Sequence, residues 1–394
     1  MVNDVVILAA ARTPIGDFCG ALKDIPPTQL GGMVTREAVA RCGIDPQDIG
    51  HVIFGNVIHS APEDMFLSRV AALQGGLGTQ TACLTLNRLC GSGLQAIISA
   101  TQGILLDDCT AAIAGGAESM SRAPHAMSGL RAGHRIGTAR LTDMLVGALT
   151  DPFGNGHMGN TAENLATRFN ISRSAQDEFA AQSHARAAHA TADGRFESQI
   201  VPVPIADGGT ARLLREDEHV RADVSAGSLG SLRPAFDAGG TVTAGNASGL
   251  NDGAAAVVLA GRQWAECRGL RPMARILGYS HSGVAPEIMG IGPIVAVRKL
   301  LDRIDLAIDD FDVIESNEAF AAQAIAVAAE LGLPADRTNP NGGAIALGHP
   351  VGATGAILVV KCVHELQRTE GRRGLVTMCI GGGQGIALAL ERIN

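Results

Sequence analysis

One pattern occurs twice in this chain, and it restricts the fold more than any other feature. Ile44-Asp-Pro-Gln-Asp-Ile-Gly-His-Val-Ile-Phe-Gly-Asn56 returns as Leu306-Ala-Ile-Asp-Asp-Phe-Asp-Val-Ile-Glu-Ser-Asn317: an acidic turn at a helix end, a short β-branched strand, then Asn. From Val52 to Gly91 is 39 residues, and from Val313 to Gly352 is 39 again. Both steps arrive at a glycine-rich entry into an apolar helix. A strand closing on glycines follows in each copy, at Gly115-Gly116 and at Gly381-Gly382-Gly383. The shared order points to duplication, so the chain is expected to fold as two related halves.

Within each half, β-branched runs alternate with Ala-rich helical patterns, which places the protein in the α/β class. Strands are expected at Val5 to Ala9, His51 to Asn56, Ala111 to Gly115, Ala254 to Ala260, Ala274 to Tyr279, Val313 to Ser316 and Leu375 to Ile380. Helices are expected at Gln29 to Cys42, Gly93 to Leu106, Glu318 to Leu331 and Gly355 to Leu366. From Arg122 to Gly249 the text changes: it is richer in His, Arg, Asp and Gly, with a helical pattern at Ser172 to His189 and no comparable strand rhythm. A structureless loop of that length is improbable in a compact domain, so this is read as a folded insertion. Gly208-Gly209 and Gly239-Gly240 read as its turns.

The chain has 394 residues, 46% of them hydrophobic, with a formal net charge of −8. That composition can bury a core and excludes disorder. Fifty glycines without a G-X-Y period exclude collagen and ask for another explanation. Aromatics at 3% and an acidic balance make a poor nucleic-acid surface. Eight cysteines with no C-x-x-C pair argue against a disulfide framework or zinc ribbon. No apolar run is long enough for a membrane helix, and Met1-Val-Asn-Asp lacks the basic start of a signal peptide, so a cytoplasmic protein is expected.

Three motifs carry chemistry. In Asn87-Arg-Leu-Cys-Gly-Ser-Gly-Leu-Gln-Ala96, Cys90 precedes an apolar helix whose free N–H groups stabilise a thiolate and a nearby oxyanion. It is a candidate nucleophile; a buried cysteine at a tight turn is the alternative. In Asn339-Pro-Asn-Gly-Gly-Ala-Ile-Ala-Leu-Gly-His-Pro-Val-Gly-Ala-Thr-Gly355, glycines flank His349, which is placed to accept a thiol proton or else to serve as a hydrogen-bonded structural residue. Met378-Cys-Ile-Gly-Gly-Gly-Gln-Gly385 puts a second cysteine after a strand and before a glycine run that lacks both the P-loop lysine and dinucleotide spacing.

Together these motifs resemble the thiolase family over essentially the whole chain. Asn317-Glu-Ala-Phe-Ala321, Gly348-His-Pro-Val-Gly-Ala-Thr-Gly355 and Cys379-Ile-Gly-Gly-Gly383 match family signatures, in family order after Cys90. Ser121-Arg-Ala-Pro124, Thr243 to Asp252 and Met289-Gly-Ile-Gly-Pro293 are similar to bacterial β-ketothiolases that make polyhydroxyalkanoate precursors. Leu84 to Cys90 and Asp151-Pro-Phe153 resemble the type that accepts more than acetyl units. The resemblance implies a thiolase fold with α-β-α-β-α layers. Residues 1–121 with 250–271 would form one half, 122–249 the inserted loop domain and 272–394 the other half.

It also implies roles. Cys90 takes an acyl group from acyl-CoA while His349 accepts its proton, and Cys379 removes a proton from acetyl-CoA so that the carbanion attacks the Cys90 thioester. One oxyanion hole is implied from His349 with a water held by Asn317, the other from the N–H groups of Cys90 and Gly381. Coenzyme A contacts carry over to Leu149, His157, Met158, Arg221, Ser228 and Ala235. The remaining contacts are Phe236, Ala244, Ser248, Met289, Ala319 and Phe320. Neither a metal nor a separate cofactor is expected, since the CoA thioesters are substrates. Where many biosynthetic members have a Gly-Gln-Asn-Pro-Ala-Arg stretch, this chain has Ser60 to Arg69, a segment near the family's acyl pocket, which argues against strict acetyl specificity. Arg122 to Met144 corresponds to a loop that tethers dimers into homotetramers. The competing activities are a degradative 3-ketoacyl-CoA thiolase and a catalytically silent lipid-binding relative. Cys379 as base speaks against carrier-protein condensing enzymes.

Overall fold

The computed structural model describes residues 4–207 and 210–393; Gly208-Gly209 and the first three residues lie outside it. In chain order the first half comprises β1 (Val5–Arg12), α1 (Pro27–Cys42), β2 (His51–Gly55), α2 (Leu67–Gln74), β3 (Ala82–Leu86), α3 (Ser92–Leu105) and β4 (Ala111–Ser119). Residues 120–250 follow, carrying α4 (Met158–Arg168), α5 (Arg173–Ala192) and a small hairpin of Val203–Asp207 with Thr210–Leu214. The chain then returns through β5 (Asn251–Gly261). The second half comprises β6 (Ala274–Gly283), α6 (Gly292–Ile304), β7 (Val313–Ser316), α7 (Ala321–Leu331), α8 (Thr354–Thr369), β8 (Arg373–Ile380) and β9 (Gln384–Arg392).

Strand order makes the duplication visible. One half reads β2-β4-β5-β1 and the other β7-β8-β9-β6, each with one parallel pair followed by two antiparallel pairs. β3 extends the first half parallel to β2. The second half keeps only a bridge from Ile314 to Thr338 at the corresponding edge. The halves join where Val6 and Ile7 of β1 pair with Arg275 and Ala274 of β6, so the hydrogen-bond path runs through all ten strands, including a short Gly16–Asp17 segment against β5.

Helices α3 and α8 pack against each other and against strands of both halves. α1 covers the outer face of the first sheet and α6 that of the second, which completes the five layers. The central strands are apolar on both faces, as strands covered on two sides must be: β5 and β4 are buried along their whole length. Glycine makes the middle layer thin. A Cβ on Gly93 would lie 2.7 Å from the Ala356 nitrogen, and one on Gly355 would meet the Leu94 backbone, so α3 and α8 touch main chain to main chain.

The predicted strands and helices are present with ends moved by up to four residues. Two strands of the main sheet were missed, β3, whose Ala82-Cys-Leu-Thr-Leu86 is partly exposed at an edge, and β9, rich in Ala and Leu and paired with β8, as was the hairpin of the insertion. Tertiary pairing overrides local propensity in both places.

Candidate active site

Cys90 stands just ahead of the first turn of α3. Its presentation is built from a tight turn: Leu89 adopts φ +46°, its N–H donates to Asn87 Oδ1 (2.8 Å), and the Ser92 hydroxyl accepts from the Arg88 N–H (2.8 Å) while donating to the Leu89 carbonyl (2.6 Å). A leucine in the left-handed region is strained, and such strain is retained where it aims a functional group. The Gly381 N–H is hydrogen-bonded to the Cys90 sulfur. Burial nonetheless pushes the thiol above its usual range, so it rests protonated.

His349 is buried on the loop before α8. Its backbone N–H donates to Asn251 Oδ1 (2.8 Å), and its Nδ1 lies 2.7 Å from Thr354 Oγ1. The Thr354 hydroxyl has one proton and donates it to the Pro350 carbonyl (2.9 Å), so at the imidazole it must accept. Nδ1 therefore carries the hydrogen and Nε2 keeps the lone pair. That Nε2 is buried without a protein partner. Burial lowers the histidine to about 4, so it is neutral at physiological pH.

Cys379 is the penultimate residue of β8, buried, with burial and the neighbouring Cys90 pushing its thiol far up. The turn to β9 is made by Gly381–Gly383, with Gly382 and Gly383 at φ +79° and +88°. Asn317 follows β7, tied by its N–H to the Thr377 carbonyl (3.0 Å), while both ends of its buried side-chain amide lack protein partners. Buried unpaired polar groups are rare and call for an explanation. The orphaned Nε2 of His349 and the orphaned amide of Asn317 mark a place built to meet a polar ligand.

These side chains converge. Cys90, His349, Cys379 and Gly381 line one narrow cleft with a volume of about 60 Å³, together with Leu149, His157, Met158, Ser248, Met289, Ala319 and Phe320. The walls are mainly apolar, and Val57, Leu89, Ala148 and Val351 complete them. Phe236 stacks on His157 (4.6 Å between centroids, 17° between planes) and meets Phe320 edge-on. His157 caps α4 by accepting the Gly159 N–H at Nδ1 (3.1 Å), which leaves Nε2 as its donor. Arg221, Ser228, Ala235 and Ala244 do not line this cleft; they are exposed on the insertion. Asn317 is buried and does not itself line the cleft, two residues before the lining Ala319. From the 60–69 segment no residue reaches the cleft, whereas Val57 just before it does.

Sequence reasoning missed Thr354, which fixes the tautomer, and Asn251, which holds the loop. It also missed Glu118, a buried carboxyl at the end of β4. The repeat held the signal for the last: Asn56 matches Asn317, and the same register matches Glu118 with Cys379.

Two cysteines and a neutral histidine with a free Nε2 meet in a narrow apolar cleft, with the unpartnered amide of Asn317 two residues before the lining Ala319, an arrangement chemically able to form and resolve a cysteine thioester. The chain belongs to the thiolase family: the thiolase N-terminal domain matches residues 5–263 and the thiolase C-terminal domain residues 270–392. It is 56% identical over 395 residues to the beta-ketothiolase BktB of Cupriavidus necator, with 100% of both chains covered. It is 49% identical to an acetyl-CoA acetyltransferase of Chromobacterium violaceum, over 99% of this chain and 100% of that one. Among solved structures, the human mitochondrial 3-ketoacyl-CoA thiolase superposes with a TM-score of 0.97 at 41% identity, covering 100% of both chains.

Proposed function

We propose that the protein is an acyl-CoA C-acetyltransferase, a β-ketothiolase. It joins acetyl-CoA to acetyl-CoA or a short acyl-CoA, giving a 3-oxoacyl-CoA and free CoA, and runs reversibly. The observation that carries this reading is the meeting of Cys90, Cys379 and the free Nε2 of His349 in one cleft of a thiolase fold.

The geometry supplies each step. His349 Nε2 takes the Cys90 proton as the sulfur attacks the acyl-CoA carbonyl, and CoA leaves. Because the thiol and imidazole both rest neutral, the ion pair forms only as the bond is made. As CoA departs its sulfur takes the proton of Cys379, which leaves the Cys379 thiolate and a protonated His349; acetyl-CoA then enters and Cys379 removes a methyl proton. The carbanion attacks the Cys90 thioester and expels the sulfur, which recovers its proton from His349. Nε2–H of His349 and the Asn317 amide are the donors offered to the enolate oxygen, and the N–H groups of Cys90 and Gly381 those offered to the tetrahedral oxyanion. Removing one such donor costs about 3 kcal/mol of transition-state stabilisation.

For CoA, the Leu149, Met158, Phe236 and Met289 wall suits the thin pantetheine arm, with His157 Nε2–H as donor and Arg221 placed to meet the nucleotide end. Ser228, Ala235, Ala244 and Ser248 form the rest of the path on the insertion, and Ala319 and Phe320 its floor. We assign these contacts to residues 122–249 acting as a unit over the halves 1–121 with 250–271 and 272–394. Exposed Leu130, Ile136 and Leu141 support the loop as a tetramer contact. A cytoplasmic location is in keeping with the absence, among the described residues, of any helix long and apolar enough to cross a membrane. No metal-ligand role is assigned to any residue.

The test is incubation with labelled acetyl-CoA followed by peptide mapping. Label on Cys90 is expected; label elsewhere removes the nucleophile assignment. A degradative thiolase would share this chemistry, and a graded series of 3-oxoacyl-CoAs with CoA separates the two by chain-length preference.

A further inference from the structure

Glu118 is fully buried at the end of β4, on the seam between the halves, and no step above uses it. Its oxygens collect four N–H groups. Oε1 accepts from Asn56 Nδ2 (3.0 Å) and the Ile58 amide (3.2 Å), Oε2 from the amides of Val57 and Gly352 (2.9 Å each). Asn56, Val57 and Ile58 follow β2 in one half. Gly352 lies between His349 and α8 in the other. Every partner is a donor, which suits an ionised carboxylate; burial raises the group to about 8, so its charge is carried over the alkaline range in which the Cys90 thiol itself ionises.

The repeat explains the location. Gly55 pairs with Gly116 in the first half and Ser316 with Thr377 in the second. One residue further along the first strand of each pair come Asn56 and Asn317; two further along the second come Glu118 and Cys379. The position that holds a sulfur in one half holds a carboxylate in the other. The loops it ties carry Val57 and Val351, which line the cleft beside Cys90.

We propose that Glu118 is a positioning residue of the acyl-transfer step, whose carboxylate clamps the 56–58 loop of one half to the 349–352 loop of the other and so holds His349 and the pocket walls against Cys90. This rests on the acyltransferase reading. The clamp also places a negative charge near Cys90, whose cleft otherwise holds the neutral Cys379 thiol and the neutral imidazoles of His349 and His157; Asp64 adds a second negative charge that acts on Glu118. That charge makes the Cys90 thiolate harder to form. Losing it should therefore slow turnover while easing ionisation, a combination that mere loosening does not produce.

Glu118→Gln and Glu118→Asp test this, assayed for condensation and for alkylation of Cys90 by iodoacetamide against pH. In Glu118→Gln, kcat is expected to fall by about 10–100-fold with KM changed by less than about threefold, because misplacement acts mainly on the transition state. Its alkylation profile should move to lower pH. Glu118→Asp keeps the charge but shortens the reach, so kcat should fall while the alkylation profile stays near that of the unaltered enzyme. An unchanged kcat in folded Glu118→Gln, or a fall in kcat with an unmoved alkylation profile, overturns the proposal. If neither variant folds, hydrogen exchange of the unaltered enzyme decides: Val57, Ile58 and Gly352 amides should be protected, and exchange at open-loop rates sinks the clamp. Failure of the unaltered enzyme to acylate Cys90 would instead strike the underlying activity, since the exchange pattern is read without substrate.

Discussion

The two halves share a strand order and differ in what they leave unpaired. In the first half, Asn56 donates its Nδ2 hydrogens to Glu118 and the Ala117 carbonyl and leaves only Oδ1 unpartnered, and Glu118 accepts on both oxygens. In the second, Asn317 has no protein partner on either side-chain atom, and a thiol replaces the carboxylate. The connections differ as well. β4 reaches β5 through residues 120–250, while β8 reaches β9 through three glycines. One half is thus tied down through its asparagine donors and carries the cover; the other keeps a wholly open amide and holds the proposed base. Duplication supplied two equivalent strand ends, and the proposed chemistry sits where the amide donors were left open.

The strongest way to break this contrast is at the sulfurs. Cys90→Ser is expected to reduce condensation by about 10⁴-fold or more, since a hydroxyl is a far weaker nucleophile at neutral pH, and to abolish labelled acetyl incorporation. Retained label at another residue would show that the first half does not hold the nucleophile. Cys379→Ala should acylate in a rapid single turnover yet fail to condense. Unchanged condensation would strip the second half of its base.

The asparagines sharpen the contrast further. Asn317→Ala should lower kcat by about 100-fold, the loss of one oxyanion donor, with a melting temperature close to that of the unaltered protein. Asn56→Ala breaks two buried hydrogen bonds, so its principal effect should be a stability loss of about 1–3 kcal/mol in denaturant unfolding. If both substitutions hurt stability and rate alike, the two sites are not divided as the open and closed amides indicate.

The smallest expected effect is on pH stability. Burial lowers His184, His281, His349 and His364 from 6.5 to about 4 each, helped by neighbouring cations at His184, His281 and His364. Between those values the unfolded chain binds more protons than the folded one. The histidine contribution is therefore full above about pH 6.5 and is lost as pH falls toward 4, while Glu118 and Glu315, raised by burial to about 8 and about 7, offset part of that loss over the same range. The four histidines outweigh the two carboxyls, so the melting temperature should still drop between pH 7 and 5, and a flat profile there would contradict the neutral histidines, His349 of the proposed site among them.

Much of this was legible in the residues. The repeat announced two halves, and Cys90, His349, Cys379 and Gly381 were found because each sits in a distinctive local string. The proposed path of coenzyme A was less legible: Phe236 meets the cleft through its contacts with His157 and Phe320, and Arg221 stands on the open surface, so neither has a local signature. Glu118 was overlooked because a lone Glu at a strand end is ordinary text. Its partners lie about 60 residues before it and 234 after it.

Strand and helix identity, the order of the halves and the nucleophile's turn follow from short-range rules of side-chain alternation, glycine placement and helix entry. Tertiary structure alone decided the protonation pattern. Thr354 directs the histidine's hydrogen to Nδ1, and burial keeps two thiols and an imidazole neutral. Those are properties of dielectric and of hydrogen-bond partners gathered from four distant segments. A linear text records which groups can ionise; only the packed molecule sets which of them do.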